Sequence, residues 1–325
     1  MQHALFGLMV CTFLLGFRTA DEQENPLQCR KAFVYKSEAF ALNETIELCF
    51  DTAGIPLRYK AEINMPVCDD TLCSNVVLIF YWDLAGHYTG FDTIPGKPLT
   101  KFDHQEFTTE DYQKMDQILK DRNSTLRTLQ KEDLIDKTVK MEATTVDAVT
   151  GATPATVKNA VVEGAVYSSF TLWHFVNGTI RNDLAAYTMS QYSDTILRVM
   201  LESRNYETQL FALRQMNDAD FRKHANLIFS ILGRSSPLIN AYIIAKLPLP
   251  FLNQEINKKF IARFPELDDY SKSIFINRIT GEDSLIPSLL PLMTSQIEHL
   301  DERQLALISA SWRKYGLPGY SELFD

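Results

Sequence analysis

The stretch "VDAVTGAT", Val146–Thr153, holds seven small or apolar residues and one acid, and Pro154 follows it at once. Behind the proline runs "ATVKNAVVEGAVYSSFTLWHF", residues 155–175. Proline is favoured at the first position of a helix, and threonine is a good N-cap. Val157, Val161, Gly164, Ala165, Ser168 and Leu172 recur at helical spacing. The pattern therefore predicts a helix of about six turns that opens just behind Thr153.

A helix start has chemistry of its own. Its first amides lack partners within the helix, and the positive end of the peptide dipole lies there. A phosphate esterified to the Thr153 hydroxyl would be stabilised by both. Gly151 allows another molecule to come close, and Ala152 keeps the flank small. Thr150 and Asp147 add a hydroxyl and a carboxylate. A plain capped loop is the simpler reading of the same residues.

Asp147-x-x-Thr150-Gly151-Ala152-Thr153 resembles the flavinylation motif of FMN-binding domains. Such domains occur in the C subunit of sodium-translocating NADH:quinone reductase and in the G subunit of Rnf-type complexes. The resemblance implies that Thr153 carries FMN through a phosphoester bond to its hydroxyl. It implies that Asp147 and Thr150–Ala152 are the recognition sequence of an exported, magnesium-using FAD:protein FMN transferase. It further implies a small α+β domain that faces the extracytoplasmic side and passes electrons. "YWDLAGHYTGFD", residues 81–92, resembles the strand-turn-strand of these domains. The likeness covers roughly residues 55–178.

Composition bounds the remaining choices. The chain has 325 residues, 46% hydrophobic and 22% charged, enough for one large or two ordinary domains. Its 41 acids outnumber 32 bases, which argues against a nucleic-acid surface. "ALFGLMVCTFLLGF", residues 4–17, is uncharged and too short to span a bilayer as a helix. It suits the apolar region of a signal peptide covering residues 1–20, which implies an exported, periplasmic or other extracytoplasmic protein; a buried N-terminal helix is the other reading of the same run. Cys29, Cys49, Cys68 and Cys73 remain beyond that segment, an even number that fits disulfides in an oxidising compartment. Cys68 and Cys73 flank the turn-like "DDTL", so Cys68–Cys73 and Cys29–Cys49 is the favoured pairing. No CxxC spacing and no neighbouring histidine points to a metal.

Along the chain, "TIELCF" (45–50), "LRYKAEINM" (57–65), "NVVLIFYW" (75–82) and "HYTGFD" (87–92) read as strands. "FTTEDYQKMDQILKDR" (107–122) reads as a capped helix with Tyr112, Met115, Ile118 and Leu119 on one stripe. "KTVKMEATT" (137–145) reads as a further strand. From about Asn182 the strand signals fade, and a succession of helices of roughly 10–16 residues follows. They include 194–203, 207–216, 219–234, 236–247, 253–264, 268–279, 284–293 and 301–315. The expected architecture is α+β: an antiparallel-sheet, FMN-binding-like domain over residues 21–181, then an all-α domain over 182–325. The latter is HEAT-like or an irregular bundle.

Other residues carry weaker signals. Tyr167, Trp173, His174 and Phe175 could wall a flavin ring or simply belong to the core. Lys101 and His104 share a loop, and "NET", "NST" and "NGT" match the glycosylation triplet. Three functions remain in view. The first is a carrier of covalent FMN, serving unidentified redox proteins or a membrane-associated redox complex and needing no substrate of its own. The second is a non-redox helical adaptor. The third is a flavin-dependent reductase with a small substrate.

Overall fold

The computed structural model describes residues 27–67, 75–101, 104–134, 155–247, 254–281 and 289–324; for Ala155, Thr156 and 254–257 it gives the backbone alone. Five strands form one antiparallel sheet in chain order: β1 (Gln28–Ser37), β2 (Leu42–Phe50), β3 (Pro56–Met65), β4 (Val76–Trp82) and β5 (Tyr88–Thr93). Four of the five strands expected from the sequence are present, and β1 joins them at the edge. In β4 each alternate residue is buried, the period-2 pattern of a strand with one face on a core. The inward residues pair across strands: Tyr59 with Trp82, Ala61 with Phe80, Ile63 with Leu78 and Met65 with Val76. Cys29 and Cys49 face one another across β1 and β2 and form a disulfide. It staples the edge strand to its neighbour and contributes about 2–4 kcal/mol through the loop it closes. Cys68 and Cys73 lie outside the described residues.

The inner face of the sheet is covered by helices. α1 (Thr109–Lys120) opens with a capping box, in which Thr108 Oγ1 accepts from the Asp111 amide and Asp111 Oδ2 accepts from the Thr108 amide. Its buried Met115, Ile118 and Leu119 face the core, and α1 packs on β5. The expected long helix behind Pro154 is divided. A single turn, α2 (Ala155–Lys158), is followed by an irregular bend and then by α3 (Val166–Asn177). Gly164 lies in the bend with φ +75°, a left-handed conformation that a continuing helix excludes. Ser169 holds the bend in place: its hydroxyl donates to the Ala165 carbonyl and accepts from the Val162 amide. The residues expected on the inner face still lie inward, since Val157, Val161, Ala165, Ser168 and Leu172 are all buried. The expected strand over 137–145 lies outside the described residues.

The remaining helices are α4 (Ile180–Ser190), α5 (Asp194–Leu201), α6 (Tyr206–Gln215), α7 (Asp218–Lys223), α8 (Ala225–Ile231), α9 (Pro237–Lys246), α10 (Gln254–Arg263), α11 (Asp269–Gly281), α12 (Glu302–Lys314) and α13 (Tyr320–Phe324). Residues 219–234, expected as one helix, are interrupted at His224, whose side chain turns to Asp194. Leu290–His299 is a 3-10 helix with a proline near its start rather than part of an α-helix. α5 packs on α6, α9 on α11, and α11 on α12. The architecture is therefore α+β: an antiparallel sheet followed by a helical region. Residue 182 lies within α4, and one hydrophobic core runs from Tyr35 in the sheet to Trp312 in α12. Among the described residues no helix is long and apolar enough to cross a membrane.

Phe175 stands where these layers meet. Fully buried in α3, its ring contacts Tyr35, Phe40, Phe80 and Trp82, with centroids 5.4–6.1 Å apart. Truncation there removes a large buried ring and leaves a cavity between sheet and helix. Phe175→Ala is expected to cost about 3–5 kcal/mol in urea unfolding monitored by circular dichroism. A loss below about 1 kcal/mol would contradict the central position of this ring.

Candidate functional site

The residues of the flavinylation motif, Asp147, Thr150, Gly151, Ala152 and Thr153, lie outside the described residues. Their flanks do not. Upstream, the chain is described as far as Leu134, which is buried and ends a 3-10 turn, Lys131–Leu134, packed on α3. Downstream, α2 begins at Ala155 and packs on the 3-10 turn Thr125–Thr128, which itself packs on α3. The upstream flank thus packs on α3 directly, and the downstream flank reaches it through the Thr125–Thr128 turn. Because α2 is one turn long, it offers leading amides but little of the summed dipole of a long helix.

Of the four aromatic candidates on α3, Trp173 and Phe175 are core residues. Trp173 is buried and its indole donates to the Asp121 carbonyl at 2.8 Å. Tyr167 and His174 are only half-buried, and Phe170, which sequence reasoning passed over, lies between them. The Phe170 and His174 rings are 4.3 Å apart, and the Lys131 ammonium stands 5.7 Å over the Tyr167 ring. His174 Nε2 lies 2.9 Å from the Leu126 carbonyl oxygen, which can only accept, so this nitrogen carries the proton. Burial lowers the His174 pKa, with that hydrogen bond opposing the shift. The imidazole is therefore neutral at pH 7. Tyr167 and Phe170 pack against the core, and His174 is tied to the Thr125–Thr128 turn, so these half-buried rings stand between α3 and the two 3-10 turns. Lys101 pairs with Asp111 at 2.7 Å, whereas His104 is exposed on its loop.

A second polar constellation joins the β4–β5 turn to the helices. Asp83 Oδ1 accepts from the amides of Ala85 and His87, both at 2.9 Å, which shapes the turn. Its Oδ2 accepts from the Thr208 hydroxyl and from Asn205 Nδ2 at 3.3 Å, and faces His87 Nδ1 at 3.2 Å. His87 Nδ1 also lies 3.0 Å from Thr208 Oγ1, and its Nε2 is 3.8 Å from Glu207, which pairs with Arg122. Arg181 Nε donates to the Gly86 carbonyl at 3.3 Å. Gly86 has φ +80°, and a Cβ there would meet the Arg181 carbonyl oxygen at 2.5 Å, so α4 approaches the turn too closely for a side chain. Both Asp83 oxygens are taken up by donors, and His87 is only 6% exposed. This arrangement fastens the turn to α6. It was not legible in the sequence, because Asp83 and Thr208 are 125 positions apart.

No family model, no curated protein and no solved structure matches the chain.

Burial acts to raise the Asp83 carboxyl, but the hydrogen bond and charge of His87, with the bond from Thr208, outweigh it and hold the pKa below the usual range. A depressed carboxyl stabilises the fold above its unfolded pKa, and that contribution fades as pH falls through the folded value. Asp83→Asn is therefore expected to cost about 1.5–3 kcal/mol at pH 7, with the gap to wild type narrowing as pH drops below about 3.9. Denaturant unfolding at several pH values measures it; a gap that stays constant to the acid limit contradicts the assignment.

Proposed function

We propose that this chain is an exported electron carrier bearing FMN on the Thr153 hydroxyl through a phosphoester bond. The observation that carries the reading is the heptapeptide Asp147-x-x-Thr150-Gly151-Ala152-Thr153 directly ahead of a helical turn that starts at Ala155. Thr153 would supply the bonded oxygen. Asp147 and Thr150–Ala152 would be read by an FAD:protein FMN transferase, and Gly151 would let that enzyme approach the backbone. The leading amides of α2 would face the phosphate. When bound, the flavin supplies reversible uptake and release of electrons, while the protein sets its exposure and potential.

The α+β layout and the Cys29–Cys49 disulfide support the reading, since the first accommodates a small FMN-binding-like domain and the second suits an oxidising compartment. In this account the helical region, HEAT-like in its succession of short packed helices, docks the donor or the acceptor. Intact mass spectrometry after co-expression with an FAD:protein FMN transferase tests the proposal. Wild type is expected to gain the mass of one FMN less one water. Thr153→Ala is expected to gain nothing, and Thr153→Ser, which keeps a hydroxyl, to be loaded in part. An unmodified wild-type chain would favour the non-redox adaptor instead.

A further inference from the structure

We propose that the hollow between α5 and the corner of α7 and α8 binds a small zwitterion, a free α-amino acid. It is a cavity of about 290 Å³ lined by Arg198, Glu202, Lys223, His224, Asn226 and Leu227. The chain makes it by turning at His224, where α7 ends and α8 begins. One helix thereby brings Lys223 to the hollow, and the other brings Asn226 and Leu227. α5 packs on α8 and supplies the opposite wall. None of these residues takes part in the Asp83 clamp or in the motif.

The lining offers both signs of charge. Lys223 and His224 share Asp194: the ammonium pairs with Oδ2, and His224 Nε2 lies 3.0 Å from Oδ1. A carboxylate accepts, so Nε2 carries the proton. The His224 side chain is only 7% exposed, and its Nδ1 has no partner among the described residues. Arg198 and Glu202 stand one turn apart on the exposed side of α5, about 6 Å along the helix. Neither side chain has an ion-pair or hydrogen-bond partner among the described residues. A base four positions ahead of an acid is the less favourable order for such a pair, which leaves guanidinium and carboxylate open. Asn226 Oδ1 accepts from Lys259 at 3.1 Å, so the amide nitrogen is the end left over.

This arrangement selects its occupant. A simple anion drawn to Arg198 meets the charge of Glu202, and a simple cation drawn to Glu202 meets Arg198 and Lys223. A molecule with both charges a few bonds apart satisfies the two walls together. Its ammonium donates to Glu202 and to His224 Nδ1, and its carboxylate accepts from the forked Arg198 guanidinium and from Asn226 Nδ2. One hydrogen bond at each end lets so short a molecule span the turn between Arg198 and Glu202. Leu227 is the one apolar lining residue. The volume lies at the small end for ligand sites, which suits one amino acid rather than a larger cofactor.

The test screens each proteinogenic L-amino acid at millimolar concentration for a thermal shift of the full-length protein. The best is then titrated by calorimetry beside its deaminated acid and its decarboxylated amine. Wild type is expected to bind the amino acid at least about tenfold more tightly than either analogue. Glu202→Gln is expected to weaken the amino acid about tenfold without weakening the deaminated acid, and Arg198→Gln to do the same without weakening the amine. Both side chains are exposed and unpaired, so the melting temperature of the unliganded variants is expected to match wild type. The site is overturned if no amino acid binds wild type, if the deaminated acid binds equally well, or if neither substitution moves the affinity. The titration involves no FMN, so each of these results leaves the carrier reading as it stands.

Discussion

At the centre of the molecule the ring of Phe175 fills the space between the inner face of the sheet and the helices laid over it. Tyr35 reaches it from β1, Phe40 from the turn after β1, and Phe80 and Trp82 from β4. Around it the polar atoms of buried aromatic side chains find partners in the helical layer. The Trp82 indole donates to the Val176 carbonyl at 3.3 Å, Tyr35 pairs with Thr179 at 3.0 Å, and Tyr59 pairs with Thr188 at 2.7 Å. Burial first, against the opposing hydrogen bond from Thr188, raises the Tyr59 phenol to about 12, so it remains a neutral donor or acceptor over the physiological range. Burying such rings removes large apolar areas from water, and satisfying their polar ends avoids the cost of orphaned groups.

This packing fixes α3, and α3 fixes what lies on either side of it. Its inward residues belong to the common core, which continues without a break into α5, α9 and α11. Its other side packs against the 3-10 turns Thr125–Thr128 and Lys131–Leu134. The clamp of Asp83, His87, Thr208 and Glu207 ties the far end of the β4–β5 hairpin to α6, so sheet and helical region are joined by polar as well as apolar contacts. A carrier benefits from such stiffness, because a cofactor on a firm support keeps a constant distance to its partners.

Much of this was legible in the residues. The β-branched and aromatic run "VVLIFYW" announced β4, and the threonine and acids at 108–111 announced the start of α1. β1 was not announced. Its sequence "QCRKAFVYKS" mixes lysine and arginine into the run, as edge strands do to resist unwanted pairing, and that blurs the alternation. The helix behind Pro154 was read as continuous because its apolar spacing is regular; the left-handed Gly164 divides it while preserving which residues face inward. The Asp83 clamp could not be read, since its members come from distant positions and meet only after folding. Phe170 escaped attention because a lone phenylalanine in an apolar helix is ordinarily core, and only its half-exposed position beside His174 sets it apart.

The functional account rests on a single oxygen, the hydroxyl of Thr153, two residues ahead of the one-turn α2 in sequence. Trypsin should release residues 141–158 as one peptide, bounded by Lys140 and Lys158, and this peptide contains several threonines besides Thr153. Tandem mass spectrometry of that peptide from protein matured with the transferase is the most direct measurement. The account predicts one FMN phosphoester, with fragment ions that assign it to Thr153. An unmodified peptide, or a flavin assigned to Thr144, Thr145, Thr150 or Thr156, would contradict it.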